Sequence, residues 1–208
     1  GAGDDAVSAG ADIKDFDLYR NSSAKAHVYA SAVDGAMDAL ESLSKPTVCL
    51  IKGYCVGGGF ELTLACDIRI ASDTAKVGIT AARLGICIGY REMRRLVHAA
   101  GRSVAMDILL TGRLVDAAEA LQLGLVSQVV DDAQVDEHTY DTAARIARLA
   151  PLSHKAHKEV VRTVMENPAL TSLTTADEAL PFTHFDSADF HEGRTAFLEK
   201  RSAEFTGA

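Results

Sequence analysis

Apolar residues recur at helical spacing in the first quarter of the chain, at positions 29, 33, 36, 37, 40 and 43. This spacing predicts an amphipathic helix that Lys45-Pro46 ends. The next segment, TVCLIK at 47–52, is short and rich in β-branched residues, which predicts a buried strand. Three glycines follow; residues 60–66 then predict a helix, and the alternating DIRIAS at 67–72 predicts another strand. A strand, a glycine turn, a helix and a strand form a crossover unit, so we expect an α/β core.

The second half of the chain is predicted to be largely helical. Asp116 and Glu119 have the spacing of a capping box, followed by a helix that Gly124 stops and a strand over 126–130. Prolines punctuate helices expected over 135–149 and 152–166, and a second box at Asp189 to Glu192 is expected to open the final helix. We therefore expect an α/β core over 1–130 and a helical region over 131–208.

The composition of the chain argues against several classes of function. The 208 residues are 48% hydrophobic and carry a formal charge of −8, which argues against nonspecific nucleic-acid binding because that needs basic patches. The longest uncharged run covers 120–130, far shorter than the roughly 20 residues of a membrane span. The start of the chain lacks the features of a secretory signal, and the four cysteines form no CxxC pair or metal-ligand spacing. These features predict a cytoplasmic protein with reduced cysteines and no metal site.

The stretch CVGGGFELTLACD at 55–67 combines three glycines with an acid in an apolar run. Both features are costly, because glycine loses much conformational entropy on folding and a buried acid must be desolvated or paired. At the start of a helix, glycines let a ligand approach backbone N–H groups that have no intrahelical partner. No Lys-Ser/Thr follows, so this is not a phosphate-binding P-loop. The pattern favours an oxyanion site beside Glu61, with close packing and a structurally paired Glu61 as the alternative.

A second turn of small residues, SAGAD at 8–12, can present the backbone N–H of Ala11 without a bulky side chain in the way. An oxyanion hole commonly uses two such donors. The two turns together therefore favour the oxyanion interpretation over the packing one.

Four stretches resemble the enoyl-CoA hydratase/isomerase (crotonase) superfamily: AGADIKDF at 9–16, the segment 45–72, LTGRLVDAAEALQLGLVSQVV at 110–130 and DFHEGRTAFLEKRSAEF at 189–205. The resemblance implies a spiral of ββα units with a helical C-terminal region, trimers or hexamers, and an acyl-CoA thioester as substrate. Coenzyme A would be part of that substrate, with no separate cofactor. By motif match, the N–H groups of Ala11 and Gly58 would hold the thioester oxygen as it becomes an enolate, and Glu61 would be a catalytic acid. The resemblance also implies substrate contacts at Ala9, Asp12, Ile13, Gly57 and Lys200.

The chain departs from the hydratase pattern over 76–96. Thr80-Ala81 stands where hydratases have a proline-glutamate pair, so the second catalytic acid is absent from its usual position. Tyr90, Arg91 and Glu92 stand where the family has small residues. They are either solvated residues at a helix start or part of a reshaped acyl pocket, in which Arg91 contacts a carboxylate or carbonyl and Glu92 supplies the missing acid. Arg83 is a further candidate.

The chain also begins where the family already has several strands and a helix behind it, so the resemblance implies an incomplete N-terminal part. The leading interpretation is an enoyl-CoA hydratase-like lyase in which Glu61 handles the water. A carbon–carbon hydrolase or decarboxylase is an alternative within the family, since such enzymes need the oxyanion hole more than a second acid. A catalytically inactive CoA-binding paralogue is the alternative from a different class, although the retained Glu61 argues against it.

Overall fold

The computed structural model of the chain describes residues 1–208. They form two compact units, one of residues 1–42 and 47–139 and one of residues 43–46 and 140–208. The helices are α1 (Phe16–Tyr19), α2 (Ser23–Glu41), α3 (Gly58–Thr63), α4 (Tyr90–Thr111), α5 (Ala117–Gln122), α6 (Val135–Ala147), α7 (Pro151–Glu166), α8 (Thr175–Ala179) and α9 (Ala188–Glu199). None of them combines the length and the apolar character that crossing a membrane requires. The boundary predicted after position 130 stays a prediction.

All seven strands lie in the first unit, in two sheets. The strands are β1 (Ala6–Ser8), β2 (Val48–Ile51), β3 (Tyr54–Val56), β4 (Ile68–Ser72), β5 (Lys76–Gly78), β6 (Val115–Asp116) and β7 (Gln128–Val130). One sheet has the order β1-β3-β5-β6 and the other the order β2-β4-β7. Every pair is parallel except β5 with β6. A mixed α/β fold is thereby confirmed.

The predicted crossover from β2 to β4 is confirmed, since Val48 pairs with Ile68 in a parallel register. The glycine turn, however, follows β3 rather than β2, and β3 belongs to the other sheet. A strand of three residues between Gly53 and Gly57 has too little alternation to be recognised from the sequence. Phe60, fully buried after that turn, packs into the core of the first unit.

The two predicted capping boxes have different outcomes. Asp116 does cap α5, accepting the Glu119 N–H at 2.9 Å, although the Glu119 side chain binds Arg113 instead of returning to the cap. The box at Asp189 is wrong, because Ser187 caps α9 through the N–H of Phe190. The buried Asp189 carboxylate instead accepts the N–H groups of Thr206 and Gly207, which binds the end of the chain to α9.

Candidate active site

Three parallel strands direct their carboxyl ends to one edge of the first sheet. Ser8 of β1 pairs with Cys55 of β3, and Val56 of β3 pairs with Gly78 of β5. The segments that follow these strands therefore meet at one edge, as at the ligand sites of other open parallel sheets. They line a cavity of about 610 Å³.

The two glycine turns approach each other closely in this cavity. Gly10 and Gly57 have φ angles of 94° and 58°, a region that side chains disfavour. A β-carbon added to Gly10 would lie 3.1 Å from the Val56 carbonyl oxygen and 3.5 Å from the Gly58 nitrogen. The Ser8 hydroxyl accepts the Gly10 N–H at 3.1 Å and so fixes the first turn. Glycine is therefore needed here both for conformation and for the close approach of two backbones.

Two backbone donors border the cavity without a partner in the chain. Gly58 is the first residue of α3, so its N–H has no intrahelical acceptor. Neither this N–H nor that of Ala11 donates a hydrogen bond elsewhere in the chain, although both residues line the cavity. Such groups are available to a ligand oxygen.

Glu61 lies one turn into α3, lines the same cavity and is 9% exposed. Burial raises the pKa of this carboxyl to about 7, and the nearby acids Glu92 and Asp34 add to the effect while Arg20 opposes it. A carboxyl group that titrates near neutral pH can both accept and donate a proton under ordinary conditions, which is the property expected of an acid–base catalyst.

Glu92 brings a second buried carboxyl group to the cavity. It is 7% exposed, lines the cavity together with Ala81, and its Oε2 atom is buried without a hydrogen-bond donor. Burial raises the pKa of Glu92, and Asp34 raises it further by its charge and its carboxyl group. The cavity thus contains two acids, although the position that holds the second glutamate in hydratases is Ala81.

The two residues that precede Glu92 point elsewhere. Tyr90 is 96% exposed, and Arg91 forms an ion pair with Asp38 on α2; neither lines the cavity. Successive residues of a helix point about 100° apart, so of these three only Glu92 faces inward. The contact of Tyr90 and Arg91 with substrate therefore stays a prediction.

Of the other residues expected to contact substrate, some line the cavity and others do not. Ala9, Ile13 and Gly57 line the cavity, whereas the Asp12 carboxylate accepts the Lys14 N–H at 2.9 Å and starts the 3-10 turn Ile13–Asp15. Lys200 belongs to the second unit, where it ends α9 in a left-handed conformation with φ of 56°.

Sequence reasoning missed one whole side of the cavity. Arg20 lines it and stacks over the rings of Phe16 and Tyr29 at 4.5 and 4.8 Å. Val33 and Met37 line it from α2, and both belong to the apolar stripe that predicted this helix. The stripe was the available signal, but nothing in it indicates that it faces a cavity rather than a filled core. Arg83, named only as a further candidate, also lines the cavity.

No group of three or more His, Cys, Asp or Glu side chains is arranged to hold a metal ion. All four cysteines are free thiols. Cys87 lines the cavity, and Cys55 is buried in the core of the first unit.

Comparison with known proteins agrees with this geometry. The family model for enoyl-CoA hydratase/isomerase matches residues 1–208. A probable enoyl-CoA hydratase of Mycobacterium bovis is 37% identical over 202 residues, covering 97% of this chain and 76% of that protein. A short-chain-enoyl-CoA hydratase of Clostridium acetobutylicum is 32% identical over 204 residues, covering 98% of this chain and 77% of that protein.

Among solved structures, an enoyl-CoA hydratase/carnithine racemase from Magnetospirillum magneticum superposes with a TM-score of 0.96 at 36% identity. The match covers all of this chain and 77% of that one. With a family model that spans every residue and relatives above 30% identity, the chain belongs to the enoyl-CoA hydratase/isomerase family.

Proposed function

We propose that this protein is an enoyl-CoA hydratase-like lyase that adds water to, or removes it from, the double bond conjugated to an acyl-CoA thioester. The observation that supports this most is the meeting of the Gly10–Ala11 and Gly57–Gly58 turns beside a buried Glu61 in one cavity. Two unpaired backbone donors that border one cavity suit a single oxygen atom, and an acid with a pKa near 7 suits proton transfer to and from water.

In the proposed reaction the N–H groups of Ala11 and Gly58 donate to the thioester oxygen. As water adds to C3, the electrons of the double bond move toward the thioester and the oxygen becomes an enolate, which these two donors stabilise. The Glu61 carboxylate takes one proton from the attacking water. The backbone donors are already fixed by β1 and β3, so they need no reorganisation when the charge develops.

The same proposal includes the wider context that the resemblance implies. Coenzyme A enters as part of the substrate, and no separate cofactor takes part. The protein assembles as a trimer or hexamer in the cytoplasm, with no membrane or nucleic-acid partner. Its two sheets belong to a spiral of ββα units, and Asp12 and Lys200 contact substrate in the complete assembly.

Turnover of crotonyl-CoA tests the proposal. The loss of absorbance of the conjugated thioester measures this turnover. We expect the wild type to hydrate crotonyl-CoA or a longer enoyl-CoA, and Glu61→Gln to be slower by about 10² to 10⁴-fold, the usual contribution of one positioned acid–base group. Glu137→Gln, at an exposed position of α6, is the control and should not change the rate. Equal turnover by Glu61→Gln and wild type would contradict the assignment of Glu61.

A further inference from the structure

We propose that Glu92, positioned by Asp34, is the second acid–base residue of this active site and transfers the proton at C2 of the acyl group. This inference rests on the proposed hydratase-like function. It concerns a residue from a different element, α4, rather than the position where hydratases have their second glutamate, which is Ala81 here.

The backbone leaves room for this carboxyl group. Gly89 precedes α4 and Glu92 is the third residue of that helix. A β-carbon at Gly89 would lie 2.6 Å from Glu92 Oε2, closer than atoms approach without displacement. Gly89 and Glu92 both line the cavity. The absence of a side chain at Gly89 thus allows the carboxyl group to lie over the start of its own helix and face the cavity.

Asp34 on α2 is the neighbour that orients Glu92. Asp34 Oδ1 and Glu92 Oε2 are both buried, and neither receives a hydrogen bond from a donor in the chain. Two ionised carboxylates are acceptors only, so they repel each other, whereas one shared proton turns one of them into a donor. The Arg91 Nε lies 3.9 Å from Asp34 Oδ2. Because the charge of Asp34 raises the pKa of Glu92, we place the shared proton on Glu92.

The other charged groups near Glu92 act on both carboxyl groups of the cavity. The charge of Glu92 raises the pKa of Glu61 on α3, whereas Arg95 on α4 lowers the pKa of Glu92. Arg20 acts on Glu61, because its positive charge favours the ionised form of that carboxyl group. Hydration requires one of these two carboxyl groups to be ionised and the other protonated, and the repulsion between their charges favours that singly protonated state of the pair.

The proposed step conserves atoms and charge. Glu61 takes a proton from water as the water oxygen bonds to C3 and the C2–C3 double bond becomes an enolate. The Glu92 carboxyl then gives its proton to C2, the enolate electrons form the new C–H bond, and the thioester carbonyl is restored. The proton on Glu61 passes to Glu92 or exchanges through solvent, which resets both groups. The net addition is one water molecule.

Two readouts distinguish this role from a structural one. Hydration of crotonyl-CoA needs both acids, whereas exchange of the C2 protons of butyryl-CoA in D₂O needs only the group that serves C2. We expect Glu92→Gln to lose both activities by about 10² to 10⁴-fold. Glu61→Gln should lose hydration but keep C2 exchange within about tenfold of wild type, a difference that general loss of structure cannot produce.

The second test uses a variant in which the glutamate is moved from position 92 to position 81. Ala81 lines the same cavity, so Ala81→Glu combined with Glu92→Gln should recover at least tenfold in C2 exchange over Glu92→Gln alone. Wild-type protein without hydration or exchange on any enoyl-CoA tested would overturn the proposed function itself. Active wild type with C2 exchange unchanged in Glu92→Gln would overturn only the role of Glu92.

The positioning role of Asp34 is tested by the pH dependence of hydration. The forward reaction requires Glu92 protonated and Glu61 ionised, so the two apparent pKa values of this pair set the limbs of the rate profile. Asp34 raises the pKa of both Glu92 and Glu61, and Asp34→Asn should therefore move both limbs to lower pH while the rate at the optimum stays within about tenfold of wild type. An alkaline limb that does not move would overturn the role of Asp34.

Discussion

The cavity has two walls that are built in different ways. The glycine wall consists of Ser8–Ala11 and Gly57–Glu61, and its donors are backbone N–H groups fixed by the pairing of β1 with β3. The helix wall consists of the cavity-lining residues between Thr80 and Glu92 together with those of α2, and its acid is the side chain of Glu92. The first wall depends on conformation within short segments. The second depends on how two helices pack.

Ion pairs between α2 and α4 hold the helix wall in place. Arg95 is only 1% exposed and binds Asp38 at 2.5 Å and Glu41 at 2.9 Å. Arg91 binds Asp38 as well, and Arg94 binds Glu41 at 2.7 Å. These partners lie more than fifty positions apart in the chain. The two walls can therefore be perturbed separately: the glycine wall by substituting glycines, and the helix wall by substituting charged residues.

The largest expected effect concerns Glu61, where activity and stability should change in opposite directions. Its pKa is about 7 in the folded protein and 4.5 in the unfolded chain. The folded state therefore holds the proton more tightly, and stability falls as pH rises from 4.5 to 7. This amounts to about 3 kcal/mol at pH 8. Glu61→Gln avoids this cost, so its free energy of unfolding should exceed that of wild type by up to about 3 kcal/mol.

Urea denaturation of both proteins at pH 8 and pH 5 measures this effect. The difference between Glu61→Gln and wild type should be larger at pH 8, where the folded wild type contains an ionised buried carboxylate, and smaller at pH 5. Glu137→Gln, at an exposed site, should show no difference at either pH. A stability difference that is larger at pH 5 would contradict the raised pKa of Glu61.

The glycine wall is tested next by Gly59→Ala. The new β-carbon would lie 2.4 Å from the Ser8 β-carbon and 3.0 Å from the Ser8 carbonyl oxygen, so the two turns must separate. Overpacking of this kind costs about 1 to 3 kcal/mol of stability, and a misplacement of about 1 Å lowers the rate by about 10²-fold. Crotonyl-CoA turnover and urea denaturation provide both values.

Gly35→Ala is the matched control, because a β-carbon at Gly35 on α2 meets nothing within 4 Å. Alanine is the better helix former, so this variant should gain about 0.5 to 1 kcal/mol of stability with unchanged turnover. If Gly59→Ala kept wild-type turnover, the close approach of the two turns would not matter for the chemistry.

The helix wall is tested by Asp38→Asn. This change removes one of the two carboxylate partners of the buried Arg95 guanidinium and weakens the contact with Arg91. Since Glu41 remains, we expect a loss of about 1 to 2 kcal/mol, below the 3 to 5 typical of an ion left wholly unpaired. Asp107→Asn breaks a more exposed pair with Arg113 and should cost less than about 1 kcal/mol. An equal loss in both variants would mean that the buried pair has no special role.

The same contrast explains what could be predicted from the sequence. The glycine wall could be recognised, because positive φ angles at Gly10 and Gly57 and an acid one turn later leave a local signature. The turns were correctly identified, yet β3 was missed since three residues are too few for a periodic pattern. The apolar stripe predicts helix α2, but its first position, 29, lies six residues after the observed start at Ser23, where Ser22 caps the helix.

The helix wall could be predicted only in part. Three neighbouring polar residues were candidates, and the helix start alone does not say that Glu92 faces inward while Tyr90 faces solvent. Asp34 could not be found at all, since its relation to Glu92 exists only once α2 and α4 pack together. The side chains of this wall acquire their roles from tertiary packing, which a local pattern does not contain.

The smallest expected effect links the two walls through Arg20. Burial and Glu92 raise the pKa of Glu61, and the positive charge of Arg20 opposes them. Arg20→Met keeps much of the packing against Phe16 and Tyr29 but removes this charge, so the pKa of Glu61 should rise above 7. Glu61 must be ionised to accept the proton of water, and the crotonyl-CoA rate profile should therefore move to higher pH.

The rate of Arg20→Met well above the acid limb should stay within a few-fold of wild type, because Glu61 is ionised there in both proteins. Lys14→Met is the matched control: it removes an exposed positive charge from the adjacent 3-10 turn without touching the cavity. Equal shifts in both variants would indicate an effect of net charge alone. A shift confined to Arg20→Met would mean that a side chain opposite the glycine wall adjusts the acidity of the group within it, so that the two walls, although built separately, act on one proton.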